Sequence, residues 1–479
     1  MYTYKIACRN NPVPTFNIGY KTLDLQNNIH YYNADMTNFS KNYKSPTKNK
    51  KQYLTQKSRE WLTDRLNKLM LNTSCLNTKI QEKSRHAKSL IDNECNNFLW
   101  DRAKILVNPY ELIYFNTKKH TDKPGHVAAI EPLSRSFFKM IELSNTELYP
   151  LIHQHTPLRS LHLAEGPGGF IEAIIYLRKT YISDDNYSDI HYGITLIDPA
   201  NEIPSWKRSC EFLQEHHNVH ILTGADGTGD LYSIDNLKYL AQRFKYNKVD
   251  LVTADGGFDF SVGGYNTQEH MASKLIFAEI IGAMCVLQHM GTFICKFFDM
   301  NSRVTADMLY LLQCHFHEIK IIKPKTSRLA NSEKYIVCHG FKTCHILPQL
   351  LDILHIWNIC DSDNQNIIEK ITNTINNNTI NNNTANLRGS LVLKTIDCLF
   401  KLTPSDTLPD IHTMAPISFY KYISGICDKM TSLQVDNINK TLQVINERLF
   451  SNQHWLDDNH HQQILNARNW CREHIIPYY

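Results

Sequence analysis

Acids, lysines and small residues fall at positions of this sequence where they could do chemistry. Glu165-Gly166-Pro167-Gly168-Gly169 follows the apolar-biased stretch 160–163 and precedes Ile171, Ile174, Ile175 and Leu177, which recur at helical spacing. The pattern predicts a strand, a tight turn and a helix. Glycines in such a turn accept backbone angles that a Cβ forbids and let a ligand press on the main chain. The N–H groups that open the helix are then free to bind it. No Gly-Lys-Ser/Thr follows, so this is not a phosphate loop, and it is not a G-x-G-x-x-G turn either.

Acids recur at the ends of three further apolar runs. YGITLID closes on Asp198, where α/β nucleotide folds place the carboxylate that accepts from a ribose hydroxyl. HILTGADGTGD sets Asp226 and Gly227 in a Gly/Asp-rich loop that could read a base edge, and VDLVTADGG puts Asp255 at a strand end with glycines beyond. Lys296 stands in GTFICKFF, among residues of buried type, and a lysine is seldom buried without a purpose or a partner. Lys139 lies in LSRSFFKMIEL, an amphipathic helix ahead of the glycine turn, where a solvent-facing lysine is the plain alternative.

The elements that must position these residues alternate strand and helix over 158–343, which predicts a doubly wound α/β sheet. Its ligand crevice should lie at the carboxyl ends of the strands, where Glu165, Asp198, Asp226 and Asp255 all fall. Around it we expect a basic, solvated arm over 1–57, a helical region over 58–130, and the sheet domain over 131–345. A helix and Asn-rich insertion over 346–386 and a helical C-terminal subdomain over 387–479 follow. The aromatic tail Trp455–Tyr479 is better suited to packing than to stacking on bases.

The 479 residues allow two or three domains. Lys plus Arg number 51 against 47 Asp plus Glu, so any surface for a polyanion must be local. Thirteen cysteines show no C-x-x-C pair, and no His/Cys set has the spacing of a closed zinc site, so no metal is expected. The longest apolar region, 275–298, is interrupted by Glu279, His289 and Lys296 and does not read as a membrane span. The chain opens MYTYKIACRNN with no charged-then-apolar leader, and we expect an intracellular, reducing setting: cytoplasmic, in a virus factory or virion if viral, or nuclear if cellular.

Taken in chain order, Lys139, Asp255, Lys296 and Glu333 complete a pattern. With SRSFFKMIEL, EGPGGFIEA, LVTADGG, GTFICKFF and SEKYIVCHGF around them, the sequence resembles the FtsJ-type RNA ribose 2′-O-methyltransferases, a Rossmann-like fold with a Lys-Asp-Lys-Glu tetrad. NPYELI, LHLAEGPGGF and GADGTGD bring it nearer to the mRNA cap-specific branch of eukaryotes and large DNA viruses. His162 stands where many members carry an aspartate. The resemblance implies S-adenosyl-L-methionine as cofactor, with Glu165, Gly166, Pro167, Gly168, Gly169 and Phe170 at its methionine end. Asp198 would hold the ribose, Asp226 and Gly227 the adenine side, and Asp255 would border it.

It further implies that Lys296 is the base for a ribose hydroxyl, its pKa depressed by burial and by Lys139, with Asp255 and Glu333 orienting the amines. Alignment of hydroxyl and methyl should supply most of the acceleration. The partner would be RNA, specifically 5′-capped mRNA, crossing near Lys139 and meeting Lys323, Lys325 and Arg328 through its phosphates. Association with other capping or transcription proteins would fit. Rival readings are an rRNA or tRNA 2′-O-methyltransferase, or a catalytically silent RNA- or cap-binding subunit.

Overall fold

The computed structural model describes residues 1–7, 16–23, 29–34, 78–94, 97–114, 126–182, 188–197, 205–257, 266–376, 393–400 and 417–479. Its centre is an eight-stranded sheet made of β1 (Tyr2–Ala7), β4 (Arg159–Leu163), β5 (Ile190–Ile194), β6 (Val219–Leu222), β7 (Val249–Ala254), β8 (Leu287–Phe297), β9 (Phe316–Lys323) and β10 (Lys334–Phe341). The strand order is β1-β9-β10-β8-β7-β4-β5-β6. Strands β4 to β8 pair in parallel, whereas β10 runs antiparallel to both β8 and β9. The order reverses at β4, which lies between β5 and β7, so a crevice opens at the carboxyl ends of β4 and β7.

Both faces of the sheet are covered, and strand alternation decides which side chain goes where. Val252, Phe293, Cys295, Ile321 and Ile336 point into one cluster, shared with α8 (Gln268–Val286), α9 (Arg303–His315) and α10 (Leu347–Asn376). Their neighbours Leu251, Ile294, Ile322, Tyr335 and Val337 point into the other, with α3 (Ser136–Glu147), α5 (Gly169–Tyr181) and α12 (Gln453–Glu473). Helix α8 is buried on all sides from Ile276 to Val286, which accounts for its long apolar run. No helix among the described residues is long and apolar enough to cross a membrane.

Two features depart from the sequence reading. Residues 1–57 do not form only a solvated arm: β1 completes the sheet edge against β9, burying Ile6 and pairing Lys5 with Glu318 at 3.0 Å, and β2 (Phe16–Leu23) and β3 (Ile29–Ala34) pair with each other. Segment 387–479 is not only helical, because β11 (Leu393–Phe400) joins β2 in a second, three-stranded sheet. Its helices pack onto the rest of the chain. Helix α11 (Ile417–Asn446) packs Ile438 and Leu442 on Ala87, Ile91 and Trp100 of α1 (Thr78–Glu94) and α2 (Asn97–Val107), while α12 buries Trp470 edge-on to Phe138 of α3 at 5.9 Å. Within the expected aromatic tail Trp470 packs, whereas Tyr478 and Tyr479 are 39% and 70% exposed.

Candidate active site

Register brings two of the expected residues, Asp255 and Lys296, level with one another. Ala254 of β7 pairs with Cys295 of β8, so Asp255 emerges beside Lys296. Lys296 in turn pairs with Tyr335 of β10. Lys296 alternates away from Phe293 and Cys295 onto the face that carries α3, and Lys139 on α3 turns inward rather than to solvent. Lys296 Nζ lies 3.2 Å from Asp255 Oδ1 and donates to the Asp255 carbonyl at 2.8 Å. Tyr335 donates its hydroxyl to the same carboxylate oxygen at 2.9 Å. Lys139 Nζ reaches the two Glu333 oxygens at 2.8 and 2.9 Å. Residues spread over nearly two hundred positions therefore form one cluster of two amines and two carboxylates.

Electrostatics set the protonation of the cluster. Burial pushes the Glu333 carboxyl up, but Lys139, Lys296 and Lys323 outweigh it and hold its pKa at about 2. Burial pushes Lys296 down, yet Asp255, Glu333 and Glu279 overcome that and raise its pKa above the usual lysine value. This corrects the expectation that burial and Lys139 depress it. The carboxylates win because one of them sits in direct contact with the amine and Lys139 is itself neutralised by Glu333.

The turn after β4 adjoins this cluster. Ala164 and Gly168 have φ of 52° and 107°, and Glu165 Oε1 accepts from the Phe170 N–H at 2.6 Å. Glu165 Oε2 is buried and has no hydrogen-bond partner among the described residues. Burial and the nearby Asp255 raise the Glu165 pKa well above the carboxylate range, against the Phe170 and Ile171 N–H groups and Lys296. A buried acceptor without a donor, at the start of a helix, fits a ligand that brings an ammonium group. A Cβ on Gly169 would lie 2.2 Å from Ser134 Oγ, so glycine there permits the turn and the start of α3 to close on each other.

Asp226 is exposed, and Oδ1 accepts from the Thr228 N–H at 2.9 Å and from Asn236 Nδ2 at 2.9 Å, which shapes the loop around Gly227 (φ 76°). The loop is tied to the end of β5 by Ile197 N–H to the Thr228 carbonyl at 2.7 Å. Asp198 lies outside the described residues.

The expected RNA contacts are corrected in part. Lys323 is buried, and its Nζ donates to Ser327 Oγ and the Asn331 and Glu333 carbonyls at 3.0, 3.0 and 2.6 Å, so its donors are used inside the protein. Arg328 is held by buried Glu111, Nε to Oε2 at 2.9 Å. Lys325 is partly exposed and pairs with Glu473 at 3.0 Å.

Sequence reasoning missed two residues that touch the cluster or its turn. Tyr335 shares strand parity with Glu333, and period-two reading would have placed both on one face. Glu279 is fully buried on α8, where its Oε1 accepts from the Gly256 N–H at 3.2 Å, and burial raises its pKa to about 8 despite Lys296. Its signal was an acid inside an otherwise apolar helix.

Comparison with known proteins agrees with the geometry. Residues 132–341 match the FtsJ-like methyltransferase family. Over 216 residues the chain is 33% identical to cap-specific mRNA (nucleoside-2′-O-)-methyltransferase 2 of Drosophila melanogaster, covering 43% of this chain and 30% of that protein. It is 36% identical over 203 residues to the Danio rerio protein of the same name, covering 41% and 26%. Cap-specific mRNA (nucleoside-2′-O-)-methyltransferase 1 of Mus musculus is 30% identical over 253 residues, covering 50% and 28%. The chain thus spans under a third of the length of these relatives. Over residues 132–341 it carries an FtsJ-like methyltransferase domain.

Proposed function

We propose that the chain methylates a ribose 2′-hydroxyl near the 5′ end of capped mRNA, with S-adenosyl-L-methionine as donor. The observation that carries the reading is the meeting of Lys139, Asp255, Lys296 and Glu333 beside the glycine turn, in a domain whose relatives are named for cap-specific 2′-O-methylation. S-adenosylmethionine would supply an activated methyl group on a cationic sulfur. Glu165 with Gly166, Pro167, Gly168, Gly169 and Phe170 would hold its methionine end, with Asp198 on the ribose and Asp226 and Gly227 on the adenine side.

Within this chain, Lys296 takes the hydroxyl proton at Nζ once it has itself been deprotonated. Asp255 and Tyr335 fix the direction of that amine, and the Lys139–Glu333 pair places a second ammonium beside the attacking oxygen. Lys325 remains as a phosphate contact, whereas Lys323 is withdrawn from that role. The test is tritiated methyl transfer onto matched capped and uncapped RNAs, with nuclease mapping of the labelled ribose. Preferred labelling of a 2′-hydroxyl next to the cap supports the reading, and equal labelling of both RNAs overturns the cap assignment.

A further inference from the structure

We infer that Glu111, which lies before the matched domain, is a positioning residue for the Lys139–Glu333 pair; this rests on the methyl-transfer reading above. Glu111 has no exposed surface, yet it carries a full negative charge between two guanidinium groups. Arg135 donates Nη1 to Oε1 at 2.6 Å and Nη2 to Oε2 at 3.2 Å. From the other side Arg328 donates Nη2 to Oε1 at 2.5 Å and Nε to Oε2 at 2.9 Å. Asn108 Nδ2 adds a donor to Oε2 at 2.6 Å. Burial pushes the Glu111 pKa up, and the two arginines overcome it to hold it at about 2.

The two arginines belong to the two segments that carry the ion pair. Arg135 occupies the position just before α3, one helical turn before Lys139. Arg328 lies in the loop between β9 and β10, five residues before Glu333. A second tie joins the same segments beyond Lys139: Glu142 of α3 accepts from the Lys325 and Thr326 N–H groups at 2.7 and 3.1 Å. Lys139 therefore sits between two anchors of its helix to the loop that ends in Glu333. The segment holding Glu111 is fixed in turn by Gln463 of α12, whose Nε2 donates to the Asn108 and Ile105 carbonyls at 2.7 and 2.9 Å. Glu111 acts at a distance, by holding the spacing across which Lys139 meets both oxygens of Glu333.

The test compares full-length native protein with Glu111→Gln, which keeps the shape and removes the charge. We expect kcat to fall on the order of ten- to a hundredfold, as for misplacement of about an ångström at a reacting centre. The KM for S-adenosylmethionine should stay within about twofold, because the hydrogen-bond partners of Glu111 are Asn108, Arg135 and Arg328 and none belongs to the Glu165–Gly169 turn. A kcat within about twofold of native, or a kcat loss matched by an equal rise in that KM, overturns the inference. Arg328→Gln leaves Arg135 on Glu111 and changes a partly exposed side chain; a smaller fall in kcat is expected, and no fall overturns the inference even if Glu111→Gln does not fold. Hydrogen exchange separates this from failure of the function itself. Faster amide exchange over 326–333 in Arg328→Gln is expected whether or not any RNA is methylated, and unchanged protection there overturns the clamp.

Discussion

At the scale of single residues, the charge balance around Lys296 makes a kinetic prediction. Its pKa is raised by Asp255, Glu333 and Glu279 against burial, so the amine is protonated near neutral pH and a base role needs that proton removed. Single-turnover transfer should therefore climb by up to about tenfold per pH unit across the alkaline range. Lys296→Ala should abolish transfer while S-adenosylmethionine binding, read by calorimetry, stays nearly intact. A flat profile in the native chain, or equal loss of binding in the variant, would remove Lys296 as base.

Glu279 makes a second prediction, on stability. Its folded pKa is raised to about 8 from 4.5, so between those pH values the unfolded chain is ionised while the folded one holds a proton. The folded state then binds more protons than the unfolded, and this group's contribution falls as pH rises from about 4.5 to 8. Glu279→Gln should flatten that part of the denaturation free energy measured against pH; an unchanged slope would show that Glu279 is not the group responsible.

At the scale of elements, the glycine turn and α3 form one unit. A methyl group on Gly169 would lie 2.2 and 2.3 Å from Ser134 Oγ and Ser136 Oγ and 3.2 Å from the Phe137 nitrogen, so the start of α3 would have to move. Gly169→Ala should cost about 1–3 kcal/mol of stability as an overpacking change. It should also lower kcat, because α3 carries Lys139. Melting and transfer measured together check this, and a variant that melts and turns over like the native chain would contradict the coupling.

For the whole molecule, the segments outside the matched domain build its core rather than decorate it. Trp470 of α12 is 1% exposed and packs against Phe138, whose helix bears Lys139. Trp470→Ala should lose about 3–5 kcal/mol in urea unfolding, the range for a large aromatic removed from a core. A loss below about 1 kcal/mol would mean that α12 is peripheral after all.

Much of this was legible in the order of residues, because local patterns have local causes. Period-two and period-3.6 runs announced the alternating strands and helices, small residues announced the turn at Glu165–Gly169, and the resemblance to the FtsJ-type tetrad implied that Lys139, Asp255, Lys296 and Glu333 meet. What needed the tertiary structure were outcomes decided between residues far apart in the chain. Lys323 looked like a phosphate contact until its donors were seen on the Asn331 and Glu333 carbonyls, and Arg328 until buried Glu111 was seen to hold it. The direction of the Lys296 shift depended on which charge came closest, and β1 found its place only through pairing with β9, more than three hundred residues on. Periodicity tells a segment which face to bury; distance alone decides which charge a buried amine obeys.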